Sequence, residues 1–384
     1  MLNLPKIIRP TGNPIRLKSE AFTNDLFSPF VATFYRSGTA ALAAAILASI
    51  KHHPPQNDGS PEVILPAYGC PDLVSACIYA GATPVLIDLG KNRPWMDIEK
   101  LGNAINTRTV AIIAVRFLGI AEQMEKLCRI CQSNALMLID DSAQGFPLST
   151  TEAYWQGDYN IISFARGKPL NLLGGGAVLS RENTELADLL PIPAANKDNL
   201  LDNIKYSLKL SIYNLSIHPT LYSLLTKLPG LNIGSTTYKR LSLLNEIPGF
   251  TLKRVNFNYS AYKSVKNVTP DIHQIMQKIQ PSAIEDLPSS LGYNFEHPLL
   301  RYPLLATDTA QQNQLFSKLY SLGASKMYQK PLYEISGVDK LTTATKKTHP
   351  NSKNFSQQLI TLPTHSGVTQ DILNRIQSTL NSIT

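Results

Sequence analysis

Short aliphatic runs alternate with helical stretches through the first half of the chain. Strands are predicted where β-branched and leucine residues cluster between turn signals, and helices where apolar residues recur every three or four positions. This alternation is typical of a mostly parallel sheet flanked by helices. The predicted strands are Val63–Leu65, Pro84–Asp88, Val110–Val115 and Leu136–Asp140, and the predicted helices are Ser37–Ile50, Pro71–Ala80 and Glu122–Cys131.

Helical patterns dominate the middle of the chain, up to residue 245. One segment, Tyr206–Leu231, is rich in Leu, Ile and Tyr with lysines between them, and we interpret it as a packed helix pair in preference to a membrane-surface helix. The Pro- and Asn-punctuated stretch Pro248–Pro281 is the expected domain junction. We therefore predict a large domain over residues 1–245 and a smaller C-terminal α/β domain over 246–384. Its predicted elements are Tyr302–Leu305, Ala310–Leu322, Gln358–Leu362 and Thr369–Leu380.

Polar residues follow the predicted strands, where ligands of parallel sheets bind. Asp140 and Asp141 end one buried strand, and Gln144 comes three residues later. A carboxylate at this position can pair with the protonated nitrogen of a pyridine ring in a bound ligand. Two adjacent carboxylates could instead bind a metal, but no His or further carboxylate cluster accompanies them, so no metal site is expected.

Lys168 lies in a Ser/Gly-rich turn between two apolar runs, an unusual place for a solvated charge. A lysine in a partly dry pocket can lose its proton and attack a carbonyl. Ser163 stands five residues earlier, where its hydroxyl can bind a phosphate. Gly38 and Thr39 open a helix, whose free N–H groups and dipole favour an anion.

Composition narrows the class of protein. The chain has 384 residues, 43% hydrophobic and 17% charged, which suits a soluble two-domain enzyme. The net charge of +8 is spread along the chain, and it suits a phosphorylated substrate as well as a generic basic surface. Because no helix-turn-helix or basic helix is visible, nucleic-acid binding is not expected.

The cysteines and the N-terminus bear on location. Cys128 and Cys131 form a lone CxxC within a predicted helix, so buried thiols are expected in preference to a zinc or redox site. The N-terminus lacks the apolar core of a signal peptide, and no 18-residue apolar run exists. A cytoplasmic protein with no integral membrane segment is expected.

Several motifs occur in an order and at spacings typical of one family. They are Ser37–Leu42, Pro66–Tyr68, Ala80–Val85 with Asp88, Asp141–Gln144, Ser163–Phe164 with Lys168, Arg301–Pro303 and Leu362–His365. At these residues the sequence resembles the DegT/StrS-type family of aminotransferases that depend on pyridoxal 5′-phosphate (PLP). The resemblance implies the PLP-dependent transferase fold type I and a homodimer with active sites at the subunit interface. It also implies an amino-acid donor, with glutamate favoured, and a nucleotide-linked keto-sugar acceptor for surface polysaccharide or secondary-metabolite biosynthesis.

The resemblance also implies residue roles. Lys168 would hold PLP covalently and move protons during the reaction. Asp141 would pair with the pyridine nitrogen, and Gln144 would contact the phenolic oxygen. Three residues would hold the phosphate: Gly38, Thr39 and Ser163.

The chain departs from the family pattern at the cofactor ring and at the partner subunit. Cys70 stands where an aromatic ring usually stacks on the cofactor, so Tyr68 or the Cys70 sulfur would cover that face. The asparagine by which a partner subunit reaches the phosphate is not recognisable. Three residues are candidates: Asn256, Asn258 and Asn294.

Two residues are candidates for substrate binding. Arg301 could grip the donor carboxylate, since a guanidinium fork matches a carboxylate, or it could form a structural salt bridge. His365 could touch substrate or be structural.

The sequence analysis leaves other functions as alternatives. A PLP-dependent sugar dehydratase would carry a histidine in place of Lys168. An aminotransferase for a non-sugar ketone and a non-catalytic PLP-binding regulatory protein are the remaining alternatives. The retained lysine, aspartate and serine disfavour the latter, because binding alone needs no proton shuttle.

Overall fold

A seven-stranded sheet forms the centre of the computed structural model, which describes residues 6–56, 58–149, 153–182, 184–196, 198–228, 236–279 and 283–383. The strands are β1 (Phe30–Tyr35), β2 (Glu62–Pro66), β3 (Thr83–Ile87), β4 (Thr109–Val115), β5 (Met137–Asp141), β6 (Tyr159–Ser163) and β7 (Gly176–Arg181). Their order across the sheet is β1-β7-β6-β5-β4-β2-β3. The pairs from β3 to β6 are parallel, and β7 is antiparallel to both β6 and β1. The predicted mostly parallel sheet is therefore confirmed.

Helices cover the sheet and bury its apolar side chains. The first seven are α1 (Gly38–His52), α2 (Asp72–Tyr79), α3 (Ile98–Ala104), α4 (Met124–Asn134), α5 (Leu186–Leu189), α6 (Leu200–Ser216) and α7 (Pro219–Leu225). Helix α1 is alanine-rich and almost wholly buried, because its small side chains let it lie close against the strands. Ser37 caps it by accepting a hydrogen bond from the Ala40 N–H at 3.1 Å.

A second, antiparallel sheet of three strands carries its own core. Its strands are β8 (Ile284–Asp286), β9 (Arg301–Ala306) and β10 (Leu359–Pro363), in the order β10-β9-β8. The remaining helices are α8 (Gly249–Leu252), α9 (Val255–Ser264), α10 (Thr269–Ile279), α11 (Leu287–Ser290), α12 (Thr309–Leu319), α13 (Pro350–Gln358) and α14 (Gln370–Asn381). Apolar faces of α10, α12 and α14 pack against this sheet.

The stretch predicted as a domain junction is mostly helical. Within Pro248–Pro281, three helices form (α8, α9 and α10), while Gln280 and Pro281 lie outside the described residues. Val255 and Tyr262 of α9 are buried beside Phe27 and Trp155 of the large-sheet core. Apolar residues at helical spacing thus outweigh the turn-forming residues here.

The segment Tyr206–Leu231 forms the expected helix pair, α6 and α7, although residues 229–231 lie outside the described part of the chain. Only one face of α6 is packed: Leu210 and Tyr213 are buried against the large-sheet core. Among the described residues, no helix is long and apolar enough to cross a membrane.

Candidate active site

Most of the predicted site residues line one cleft at the carboxyl edge of the parallel strands. The cleft measures about 860 Å³ with its open mouth. The structure thus brings together residues that are up to 131 positions apart in the sequence, between Ser37 and Lys168. The lining residues are Ser37, Gly38, Thr39, Leu42, Cys70, Asp72, Leu73, Asp141, Ala143, Gln144, Ser163, Ala165, Arg166 and Lys168.

One end of the cleft is formed by the N-terminus of α1 lying against β6. A Cβ atom on Gly38 would come within 2.7 Å of the Ser163 Cβ and 2.8 Å of its Oγ. A Cβ atom on Gly176 would come within 2.6 Å of the Gly38 backbone nitrogen. Glycine is therefore required at both positions, and the helix terminus and the Ser163 hydroxyl meet at one point. This end suits a phosphate.

Asp72 modifies this phosphate-binding end in a way that the sequence reasoning missed. The Thr39 Oγ1 donates a hydrogen bond to the Asp72 Oδ2 at 2.9 Å, so its single proton is already used. Arg166, exposed at the same cleft, supplies a positive charge. The α1 N-terminus, Ser163 and Arg166 are thus the groups that favour an anion here. The only feature of the sequence that could have indicated this role is the position of Asp72 directly after the Cys70-Pro71 loop.

The two neighbouring aspartates point to opposite faces of β5, as successive residues of a strand must. Asp141 faces the cleft, and burial raises its pKa to about 6, although the Ala143 N–H and the Lys168 charge act to lower it. Asp140 instead faces Arg116, 2.7 Å away, in a buried ion pair. Arg116 also donates to the Ser142 hydroxyl and stacks on Tyr154. The carboxylate available to a ligand is therefore that of Asp141.

Gln144 links the cleft to Tyr328, which lies between α12 and α13. Its Oε1 accepts a hydrogen bond from the Leu118 N–H at 3.0 Å, and its Nε2 donates to the Tyr328 hydroxyl at 3.1 Å. One amide proton of Gln144 stays available for a ligand. No motif drew attention to Tyr328, because its contact with Gln144 spans 184 positions of sequence.

The two candidates for covering a flat ring have different positions. Tyr68 is not among the cleft-lining residues: its hydroxyl donates to the Tyr328 carbonyl at 2.8 Å, and its ring packs against Phe117 and Phe355. Cys70 lines the cleft itself, and burial raises the pKa of its thiol to about 12. A neutral, polarizable thiol therefore borders the space where an aromatic ring would be expected.

Lys168 lies between this cleft and a second cavity. The preceding Gly167 has a φ of +79°, a left-handed conformation that favours glycine, and the turn closes with a hydrogen bond from the Lys168 N–H to the Ala165 carbonyl at 3.1 Å. The second cavity is also bordered by Tyr262, Leu300 and His365. An amine in this position can reach ligands on both sides.

Arg301 begins β9, directly after Leu300, which borders the second cavity. Arg301 itself lines neither that cavity nor the cleft. Its Nε atom is buried, and no described residue accepts its hydrogen bond. Burial lowers the pKa of its guanidinium to about 10, and the nearest ionisable groups are tyrosines, including Tyr328 and Tyr222. No carboxylate of the described residues forms a salt bridge with it. A buried guanidinium with an unpaired donor is suited to an anionic ligand.

His365 uses both ring nitrogens in backbone hydrogen bonds. The Gly367 N–H donates to Nδ1 at 3.0 Å, so Nε2 carries the proton and donates to the Arg9 carbonyl at 2.8 Å. Burial and the Arg9 charge lower the pKa of His365 to about 3, which keeps the ring neutral. The ring therefore has no free polar atom for a ligand.

The three asparagines proposed to reach a partner subunit's phosphate, and the two cysteines of the CxxC, do not line the cleft of their own chain. Asn258 holds the Arg16 backbone with both ends of its amide, Asn256 donates to Thr23, and Asn294 donates to Glu296. No group of three or more potential metal ligands occurs among the described residues. Cys128 and Cys131 lie on α4 as free thiols, and burial raises the pKa of Cys131 to about 12.

Comparison with known proteins bears on this arrangement. Residues 19–192, which include every residue of the cleft, match the profile of the DegT/DnrJ/EryC1/StrS aminotransferase family. The segment that carries the cleft is thus similar to the DegT/DnrJ/EryC1/StrS aminotransferase family. The resemblance seen in the sequence is therefore confirmed.

Curated proteins resemble the chain over a limited length. A UDP-N-acetyl-3-dehydro-alpha-D-glucosamine 3-aminotransferase of Acidithiobacillus ferrooxidans is 32% identical over 39% of this chain and 40% of its own length. A GDP-perosamine synthase of Escherichia coli O157:H7 is 31% identical over 40% of this chain and 41% of its own length. The matches thus span about two-fifths of these relatives.

Solved structures show that the fold extends further than the sequence similarity. A putative sugar aminotransferase of Streptococcus pneumoniae in its PLP form superposes with a TM-score of 0.67, covering 100% of this chain and 93% of that chain at 20% identity. A Helicobacter pylori aminotransferase involved in pseudoaminic acid biosynthesis gives a TM-score of 0.65, covering 92% of this chain and 86% of that chain at 17% identity. The chain therefore has the fold of these aminotransferases.

Proposed function

We propose that this chain is a PLP-dependent aminotransferase that moves an amino group from an amino acid, glutamate by preference, to a keto-sugar. The observation that carries the proposal is the single cleft shared by Lys168, Asp141, Ser163 and the N-terminus of α1. An amine, a carboxylate and an anion-binding helix end are the three groups that the aldehyde, ring nitrogen and phosphate of PLP require. The proposal includes no metal site at Cys128.

The residues would divide the binding of PLP as follows. Asp141 is the acceptor for the pyridine N–H, and a cationic ring beside it would lower its raised pKa. Ser163, Gly38 and the α1 N-terminus would hold the phosphate, while Thr39 would act through its hydrogen bond to Asp72. Gln144 offers its free amide proton to the phenolic oxygen. When bound, PLP supplies the electron-withdrawing ring that makes an adjacent C–H bond acidic.

Lys168 would do the proton transfers of the reaction. Its amine would hold the cofactor covalently and, when free, would be the base that takes the proton from the substrate α-carbon and the acid that returns it. The turn at Gly167 fixes the backbone of Lys168, so only its side chain moves. Since Lys168 borders both the cleft and the second cavity, the substrate carbon would lie near its amine, where the two spaces meet.

The substrates are inferred from chemistry and from the relatives. Arg301, with its buried unpaired Nε, is the proposed partner of the donor carboxylate. Both curated relatives described above are named for reactions of nucleotide-linked sugars, so a nucleotide-linked keto-sugar is the proposed acceptor, for polysaccharide or secondary-metabolite biosynthesis. His365 would shape the second cavity without a hydrogen bond to substrate. We also propose a cytoplasmic homodimer, as the family resemblance implies.

A half-reaction tests the proposal. The purified protein, loaded with PLP and given glutamate alone, should form 2-oxoglutarate and pyridoxamine phosphate in equal amounts. The Lys168→Ala variant should form neither at a measurable rate. The control Lys126→Ala, which removes an exposed lysine of α4 that lines neither the cleft nor the second cavity, should leave the half-reaction intact. A panel of nucleotide keto-sugars and other ketones then identifies the acceptor. PLP binding without any half-reaction would instead support a regulatory binding protein.

A further inference from the structure

Helix α6 carries an exposed aliphatic surface, which we call the α6 stripe. Its side chains are between 56% and 75% exposed, although all of them are Leu or Ile. At about 100° per residue they span about 120° of the helix circumference. The α6 stripe consists of Leu200, Leu201, Ile204, Leu208, Ile212 and Leu215.

The opposite face of α6 is firmly attached to the protein. Leu210 is fully buried and Tyr213 nearly so, within the core beside the large sheet. Asn214 accepts a hydrogen bond from the Ile15 N–H and donates to the Ile15 carbonyl, both at 2.8 Å. The helix is therefore apolar on two faces, and only one of them is explained by the fold of a single chain. An exposed apolar surface of this size marks an interaction site.

Positive charge lies beside the α6 stripe. Lys205 and Lys209 are exposed and lie on one flank of the stripe, and Lys227 is exposed shortly after α7. The sequences of α6 and α7 contain one acidic residue, Asp202, which lies beyond the lysines as seen from the stripe. Helix α7 and the residues after it add three exposed leucines: Leu221, Leu224 and Leu228.

This composition differs from that of a protein–protein interface. The centres of such interfaces are enriched in aromatic residues, Met and Arg and depleted of Lys. The α6 stripe contains only Leu and Ile, with lysines at its edge, and it is the outer surface of a helix and not a groove. Aliphatic residues beside lysines are instead the pattern of helices that lie in the headgroup region of a bilayer.

We propose that the α6 stripe docks onto an anionic phospholipid bilayer, with α6 parallel to the membrane plane. The leucines and isoleucines would enter the boundary between headgroups and acyl chains, while Lys205 and Lys209 contact lipid phosphates. The net charge of +8 strengthens the attraction. Since the other face of α6 is held by the protein core, the helix binds along the surface. This surface association is independent of the proposed aminotransferase activity.

Vesicle binding tests the proposal on the full chain loaded with PLP. The protein should co-sediment with vesicles of phosphatidylcholine and phosphatidylglycerol mixed two to one, and bind less to pure phosphatidylcholine. The double variant Leu208→Asp with Ile212→Asp should lower the partition coefficient more than tenfold. The matched control is Leu243→Asp, which changes a leucine that is 63% exposed outside both helices and should bind like the unchanged protein.

A charge variant measures the electrostatic contribution to vesicle binding. Removing one lysine near an anionic surface weakens binding about fivefold, so Lys205→Gln with Lys209→Gln should lose about 25-fold on anionic vesicles. Its binding to neutral vesicles should not change. Because all these side chains are exposed, the variants should keep the circular dichroism and melting temperature of the unchanged protein.

Two results would overturn the proposal. One is the absence of sedimentation with anionic vesicles at low salt by a protein that is folded and holds PLP. The other is a combination of two observations. The unchanged protein binds no vesicles, and the mass measured by light scattering falls from that of a dimer to that of a monomer in the Leu208→Asp, Ile212→Asp variant. In that case a second copy of the chain covers the α6 stripe.

Discussion

Replacing Asp141 by Asn should stabilise the cofactor-free protein while weakening its hold on PLP. Burial raises the pKa of Asp141 from 3.8 to about 6, so the folded state binds the proton more tightly than the unfolded chain does. Ionisation of this carboxyl group therefore opposes folding, and the cost grows as the pH rises from about 4 to above 6. Asparagine cannot ionise, but it keeps an oxygen for the Ala143 N–H.

The magnitude follows from the two pKa values. Linkage gives a cost of about 1.6 kcal/mol at pH 5 and about 3 kcal/mol at pH 8. Solvent in the open cleft screens the carboxylate, so we expect about half of these values, roughly 0.8 and 1.5 kcal/mol. The stabilisation by Asp141→Asn should thus be larger at the higher pH. With PLP present the sign should reverse, because the variant cannot form an ion pair with the ring nitrogen.

The assay is urea unfolding of the cofactor-free proteins at both pH values, together with PLP titration by absorbance. The matched control is Asp140→Asn, the same substitution one residue earlier. There the loss of the ion pair leaves Arg116 buried and uncompensated, so destabilisation by about 3–5 kcal/mol is expected. The reasoning is refuted if Asp141→Asn destabilises the cofactor-free protein at pH 8, or if it binds PLP as tightly as the unchanged chain.

Three further predictions concern other groups. Gly38→Ala should weaken PLP binding and lower the free energy of unfolding by about 1–3 kcal/mol, since its Cβ would collide with Ser163. The control Gly102→Ala lies in α3 with open space around it, so it should be neutral or stabilising in the same urea unfolding and PLP titrations. Arg301→Gln should raise the KM for glutamate about 10- to 100-fold with a smaller change in kcat, and steady-state kinetics showing an unchanged KM would contradict its proposed contact with the donor. Glu122→Gln should flatten the decline in melting temperature between about pH 5 and 8, because burial raises the pKa of Glu122 from 4.5 to about 8 and its ionisation opposes folding. A parallel decline in both proteins would count against this.

The sequence predicted the parallel part of the large sheet well, because aliphatic runs and intervening helices are local signals. Strand β1 and helix α3 were not predicted. Strand β1 (Phe30–Tyr35) is recognisable only through its antiparallel pairing with β7, which is remote in sequence. The role of Asp141 was also predictable, because the resemblance indicates it. Which aspartate faces the cleft depends on the register of β5, and the structure shows that Asp141 faces it while Asp140 faces Arg116.

Contacts between distant segments could not be predicted. The bond from Gln144 to Tyr328 and the bond from Thr39 to Asp72 join residues that no motif connects. The exposure of the α6 stripe has the same origin: leucines at helical spacing indicate an apolar helix, but not which of its faces the rest of the chain covers. His365 shows the converse, because only the structure reveals that both ring nitrogens are already occupied.

The most direct test of the account is to reduce the PLP-loaded protein with borohydride and locate the modified residue by peptide mass spectrometry. The account predicts one pyridoxyl group per chain, on Lys168, and its loss from the Lys168→Ala variant together with the yellow colour. A pyridoxyl group found on another lysine, or a protein that binds no PLP at all, would contradict it.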